Sequence, residues 1–113
     1  MNKFELFSLI FYALDAQWDD TPKDVLGEFL SDMNPFLFTD IGSADPACYD
    51  DFCKFVNKNN IELKNSYKTA ENYIKNLAIS DIAEAFAKTD ETKWLVAAKK
   101  YLSSPHKGQT LHD

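Results

Sequence analysis

Hydrophobic and polar positions along this chain follow the period of an α-helix in about five or six separate segments. The first segment, residues 3–18, is apolar on nearly every side. A narrow polar stripe interrupts it at steps of three and four, and its members are Glu5, Ser8, Tyr12, Asp15 and Asp19. Because a helix that is apolar almost all round is normally buried, the pattern predicts a central helix around which the others pack.

The starting points of the later helices carry clear sequence signals. Thr21-Pro22 and Asp45-Pro46 each place a capping residue directly before a proline, which is favoured at the first position of a helix. Ser80 is the predicted N-cap of a further helix, Asp90 and Glu91 begin the last one at the dipole end that favours acids, and Asn34-Pro35 ends the second helix. The helices after the first are predicted at about residues 22–33, 46–58, 62–77, 80–88 and 90–103.

No segment shows the strict alternation of a β-strand. The sequence therefore predicts an all-α fold, a compact single-domain bundle of about five or six helices spanning residues 1–102. Residues 103–113 contain turn residues and no periodicity, so we expect a flexible C-terminal tail there. A chain of 113 residues, 45% of them hydrophobic and only three of them Gly, is long enough to bury a core without staples.

The cysteines and the N-terminus bear on location. Cys48 and Cys53 are five residues apart on one predicted helix, which separates them by about 7.5 Å along its axis and exceeds the reach of a disulfide. Free thiols favour a cytoplasmic location. The apolar run 6–14 imitates a signal peptide, but its polar stripe is not a feature of such peptides. No stretch approaches the length of a membrane span, so no membrane association is expected.

Charge is unevenly distributed. Residues 15–51 hold ten carboxylates against Lys23, whereas the whole chain has a net charge of −6. Asp24, Glu28 and Asp32 are four residues apart and therefore stack on the outward side of the second helix, where like charges repel. The acidic stretch either serves to bind a partner or is a solvated face that improves solubility. Both interpretations stay open. With a pI near 4.8 and no Arg, direct binding of nucleic acid is not expected.

The segment NPFLFTDIGSAD, residues 34–45, is the least periodic part and is predicted as a loop. Phe36 and Phe38 either plug the end of the bundle, the alternative favoured by the burial of large apolar side chains, or act as aromatic anchors for a partner. The NPF and GSADP elements of this stretch resemble those of small uncharacterised bacterial proteins. That resemblance spans residues 34–55, about a fifth of the chain, and implies no activity.

Catalytic and metal chemistry find little support in the sequence. The histidines, His106 and His112, lie in the predicted tail, so a nucleophile with a neighbouring base is not expected. Asp40, Ser43 and Asp45 could offer oxygens to a cation, but their spacing does not match a calcium-binding loop. We therefore assign no catalytic residue, no metal site and no cofactor.

The sequence favours a non-catalytic, acidic protein-interaction module that binds a basic protein, such as an inhibitor or immunity-type protein that masks a basic site. One alternative is a small enzyme or ligand-binding protein that uses carboxylates with a divalent cation. Another is a helical homo-oligomer with a structural role, and the oligomeric state is left open. The candidate partner-binding residues are Asp15, Asp19, Asp20, Asp24, Glu28, Asp32, Phe36 and Phe38.

Overall fold

Six helices and no strand occur in the part of the chain that the structure, a computed structural model, describes, namely residues 1–19 and 24–111. The all-α, single-domain fold predicted from the sequence is confirmed. The radius of gyration is 13.0 Å, which agrees with about 13 Å for a compact domain of about this length. The helices are α1 (Lys3–Asp15), α2 (Asp24–Met33), α3 (Pro46–Phe55), α4 (Leu63–Leu77), α5 (Ser80–Ala87) and α6 (Glu91–Leu102).

Helix α1 is the centre of the bundle and packs against each of the other five helices. It begins with a reciprocal cap, in which the Asn2 side chain accepts a hydrogen bond from the Glu5 amide at 2.8 Å and the Glu5 carboxylate accepts one from the Asn2 amide at 2.9 Å. Phe7 is completely buried and meets Phe52 of α3 edge to face, with 5.0 Å between ring centroids. The predicted central position of this helix is thus confirmed.

Two helices end earlier than their periodicity predicts. After Asp15 the chain tightens into bonds between residues three apart, from the Gln17 amide to Leu14 and from the Trp18 amide to Asp15, so the last predicted turn is not α-helical. Helix α3 ends at Phe55 because Val56 leaves the helical conformation, and its side chain is buried with only 3% exposed.

The predicted starts of α3 and α6 are confirmed, because Asp45 and Asp90 accept hydrogen bonds from the first-turn amides of Ala47 and Lys93. Ser80 does not cap α5. Ile79 takes that position without a side-chain hydrogen bond and packs against the core instead. The predicted Thr21 cap and Pro22 lie outside the described residues.

Residues 103–111, for which the sequence predicts a flexible tail, lie against the start of α1 and against the loop after α2. His106 Nε2 is 2.6 Å from the Glu5 carboxylate, and the Asn2 side chain donates to the Gly108 carbonyl at 2.9 Å. Lys107 donates to two carbonyls of the loop. We call residues 103–111 the C-terminal strap. Residues 112–113 lie outside the described part.

Candidate interaction surface

Three carboxylates form a ridge along the exposed side of α2. Asp24, Glu28 and Asp32 are all exposed, while Leu26, Leu30 and Met33 on the other side of the helix are buried. None of the three carboxylates forms an ion pair with another described residue. We call these three residues the acidic ridge. Their charges are therefore available to solvent or to a partner.

An aromatic side chain that the sequence analysis did not select lies beside the ridge. Trp18 is 37% exposed, and a Cβ atom on Gly27 of α2 would stand only 2.7 Å from its ring. A shallow groove of about 620 Å³ is lined by Trp18, Gly27, Ser31 and the three ridge residues. The one available signal was Gly27, since a glycine within a helix often marks a close approach.

Two further predicted acidic residues, Asp15 and Asp19, lie at the end of α1 and just after it. Asp15 and Asp19 are exposed, and Asp20 lies outside the described residues. Burial, and secondarily the Asp15 carboxylate, raises the pKa of Tyr12. Asp15 thus adds negative potential next to an aromatic side chain that is itself 46% exposed.

The segment from residue 34 to residue 45, which we call the apolar loop, returns to its starting point. The Ala44 amide donates to the Asn34 carbonyl at 3.0 Å, and the Asp45 amide donates to the Asp32 carbonyl at 2.9 Å. The loop exposes four large apolar side chains in its middle, with exposed fractions of 37%, 59%, 60% and 41% for Phe36, Leu37, Phe38 and Ile41. Four such side chains in six positions form an exposed apolar patch, a common feature of binding surfaces.

The two phenylalanines of this loop behave differently. The Phe36 ring packs against Phe11 and Tyr12 of α1, with centroid distances of 5.9 and 5.3 Å. Phe38 is 60% exposed and lines a concavity of about 250 Å³ together with Asp40 and Asp50. The interpretation that both rings plug the bundle is therefore wrong for Phe38, while Phe36 partly covers α1.

A second groove, of about 570 Å³, runs between α1 and α6. Leu9, Ala13, Trp94 and Ala97 contribute apolar surface to it, and Lys100 brings a cation. The Tyr12 ring contacts Tyr101 of α6 at 5.7 Å as well as Phe36. This contact makes the end of the groove continuous with the aromatic edge of the apolar loop.

The other candidates for chemistry are the Cys48 thiol and any cluster of side chains that could bind a metal ion. Burial, followed by the charges of Asp32, Asp45 and Asp51, raises the pKa of the Cys48 thiol to about 12, so it is not a thiolate at neutral pH. In residues 1–19 and 24–111, no group of three or more His, Cys, Asp or Glu side chains is arranged to hold a metal ion. None of the helices described there has the length and apolar character needed to cross a membrane.

Comparisons of the chain with protein-family models, with curated proteins and with solved structures found no match.

Proposed function

We propose that this protein is a non-catalytic, acidic interaction module of the cytoplasm that binds a basic protein, as an inhibitor or immunity-type protein does when it masks a basic nuclease-like site. The observation that carries the proposal is the acidic ridge, whose three carboxylates are exposed in a row beside an exposed indole. Cys48 and Cys53 are not joined in a disulfide, which supports a reducing compartment.

The chemistry of the ridge supports a cationic partner. A Lys or Arg side chain placed over an exposed tryptophan ring gains a cation–π interaction, and carboxylates on the same groove would pair with its charge. Asp15 and Asp19 lie at the end of α1 and just after it, next in sequence to Trp18 of this surface, and we assign Asp15, Asp19 and Asp20 to the same acidic surface. Complementary charge of this kind mainly speeds association and selects partners.

The apolar loop supplies the other part of the proposed surface. Aromatic side chains at a protein interface contribute most of the affinity where they enter a pocket of the partner. We therefore assign Phe38 and Leu37 to insertion, Phe36 to the edge of the surface, and the ridge to orientation.

The test begins with affinity capture from the native host at low and at high salt, after which the recovered partner is purified and its affinity measured. Replacing the ridge by D24N/E28Q/D32N is expected to weaken binding about tenfold or more at low salt and to flatten its salt dependence. A matched variant, E62Q/E71Q/E91Q, removes the same charge elsewhere and should bind normally. Equal effects of the two variants, or none, would refute the proposal.

Self-association is a second candidate, favoured by one observation: large apolar side chains, including Leu37, Phe38 and Val96, are exposed at 59%, 60% and 65%. Light scattering of the purified protein distinguishes the two functions. A stable dimer that is lost in a Phe38→Asp variant would assign the apolar loop to a subunit contact. A protein that stays monomeric at all accessible concentrations would indicate that the loop binds a different protein.

A further inference from the structure

The C-terminal strap holds the apolar loop through a single lysine. Lys107 Nζ donates hydrogen bonds to the Pro35 carbonyl at 2.6 Å and to the Phe38 carbonyl at 2.7 Å. The same ammonium lies 5.2 Å from the centroid of the buried Phe4 ring. Hydrogen bonds from a charged donor are stronger than those between neutral groups. One side chain thus joins both ends of the turn that displays Phe36 and Leu37.

The residue before Lys107 is held by a contact between its side chain and Glu5. His106 Nε2 lies 2.6 Å from the Glu5 carboxylate, and the two side chains are only 7% and 10% exposed. The other ring nitrogen, Nδ1, lies 2.6 Å from the Ser104 carbonyl. Both ring nitrogens therefore face oxygen atoms that can accept hydrogen bonds. Its ring also packs on Tyr101 at 4.3 Å.

The residue after Lys107 is fixed as well. The Gly108 carbonyl accepts a hydrogen bond from the Asn2 side chain at 2.9 Å. Gly108 has a φ of 83° and lies so near Phe4 that a Cβ would be 2.6 Å from that ring. Contacts on both sides of Lys107 therefore determine where its ammonium is placed.

The surroundings of Lys107 affect the charge of its ammonium in two ways. Burial lowers the pKa of its ammonium, and the nearby Asp40 carboxylate acts in the opposite direction. Asp40 belongs to the apolar loop itself, so the loop offers the lysine two carbonyls and a neighbouring negative charge.

We infer that the C-terminal strap positions the apolar loop for partner binding: Lys107 fixes the turn at residues 35–38, and the contact between His106 and Glu5 keeps Lys107 in place. The partner that this surface fits is a protein with an apolar pocket for Leu37 and Phe38 and a basic rim facing Asp40. The binding consequence rests on the proposed function, whereas the clamp is a property of the free protein and is tested separately.

Limited proteolysis with chymotrypsin tests the clamp, because that enzyme cleaves after aromatic and leucine residues such as those of the loop. In Lys107→Met, cleavage at Phe36 to Phe38, followed by mass spectrometry, should be about tenfold faster than in the wild type, as expected when charged hydrogen bonds are lost. Lys107→Arg, which keeps a donor, should restore slow cleavage. Lys99→Met removes the same charge from the exposed side of α6 and should cleave like the wild type.

The urea midpoints of these variants show whether the effect is local. Unchanged midpoints with faster loop cleavage in Lys107→Met support the clamp, whereas a cleavage rate equal to that of the wild type, or equal acceleration in Lys99→Met, overturns it. The double variant E5Q/H106Q tests the contact between His106 and Glu5 by replacing both partners at once, so that neither buried group is left without its partner. Its loop should also be cleaved faster although Lys107 is present, and wild-type cleavage would show that the pair does not place the lysine.

The binding consequence is measured with the partner recovered as described above. Lys107→Met should weaken that complex several-fold while Lys107→Arg and Lys99→Met do not. Faster loop cleavage with unchanged affinity would overturn the role in binding and keep the clamp. If no partner binds the wild-type protein, the proposed function fails, and the proteolysis result on the free protein still decides the clamp.

Discussion

Trp18 lies against α2 at the position of Gly27, where a Cβ atom would stand 2.7 Å from the Cη2 atom of the indole and 2.9 Å from Cζ3. In Gly27→Ala the indole must therefore shift from its present position. We expect the indole N–H signal of Trp18 to shift in ¹H–¹⁵N spectra. The signal of Trp94, the other of the two tryptophans, should remain in place because it is 2% exposed and bonded inside the core.

Stability measurements give the control for this prediction. Alanine is favoured over glycine within a helix by about 1 kcal/mol, so Gly27→Ala should raise the free energy of unfolding by that amount once Trp18 has been replaced by alanine. In the presence of Trp18 the gain should be smaller or reversed. An equal gain in both backgrounds would show that the indole does not press on Gly27.

The contact between Gly108 and Phe4 predicts that the strap contributes to stability. Gly108→Ala brings a Cβ to within 2.6 Å of the Phe4 ring at a φ of 83°, and overpacking of this kind destabilises a protein by about 1–3 kcal/mol. Gly42→Ala is the matched control, since Gly42 also has a positive φ but no atom within 4 Å of the added Cβ. Chemical denaturation compares the two. A loss in Gly108→Ala no larger than that in Gly42→Ala would mean that the strap is not packed.

The core contains a hydrogen bond whose removal should be costly. Trp94 Nε1 donates to Ser66 Oγ at 2.8 Å, and the two residues are 2% and 0% exposed. In Ser66→Ala the buried indole N–H loses its acceptor, which should lower the free energy of unfolding by about 1–3 kcal/mol. Ser31→Ala, at an exposed position of α2, should change it little. Similar urea midpoints for the two variants would contradict the prediction.

The helices were predictable because each has a hydrophobic period, and α3 and α6 also have a recognisable start. The Asp45-Pro46 start and the buried, apolar character of α1 follow from local residue preferences that the rest of the fold leaves intact. The end of α1 was not predictable in the same way. Residues 16–18 could continue a helix, but the structure shows a tight turn there, with Trp18 against Gly27 of α2. That contact is between elements and carries no local sequence signal.

The strap was missed for a related reason. Its contacts join His106 to Glu5 and Lys107 to Pro35, pairs that are 101 and 72 residues apart, and a short polar segment carries no period that reveals such pairing. The sequence did show one side of these contacts, the polar stripe on α1. Glu5 and Ser8 belong to the polar stripe on α1, yet both are buried. The polar side chain of Glu5 contacts the strap and does not face solvent.

The partly buried Cys48 thiol predicts slow alkylation. Its pKa is raised to about 12 from an ordinary value of 9.0, and only the thiolate reacts. Iodoacetamide at pH 8 should therefore modify Cys48 far more slowly in the native protein than in urea, as measured by peptide mass spectrometry. Labelling at equal rates in the two states would contradict the raised pKa.

The same thiol predicts how stability depends on pH. In the unfolded chain Cys48 loses its proton near pH 9.0, whereas in the folded protein it keeps the proton to about pH 12. Between these values the unfolded state binds fewer protons, so the free energy of unfolding falls as the pH rises. The urea midpoint should thus decrease from pH 8 to pH 10.5, and it should decrease less in Cys48→Ala. An identical decrease in that variant would assign the effect to other groups, such as Tyr73, whose pKa is also raised by burial.

The acidic ridge should reduce the stability of the protein. Glu28 and Asp32 are like charges one helical turn apart, and Asp32 lies in the last turn of α2, where a negative charge is unfavourable. We expect E28Q/D32N to raise the free energy of unfolding by about 0.5 kcal/mol, with a smaller gain in 1 M salt. Asp24→Asn should act in the opposite direction, because Asp24 lies in the first turn, where an anion is favoured. A loss of stability in E28Q/D32N would show that these carboxylates stabilise the fold. A gain in stability accompanied by a loss of partner affinity would show that they are retained for binding.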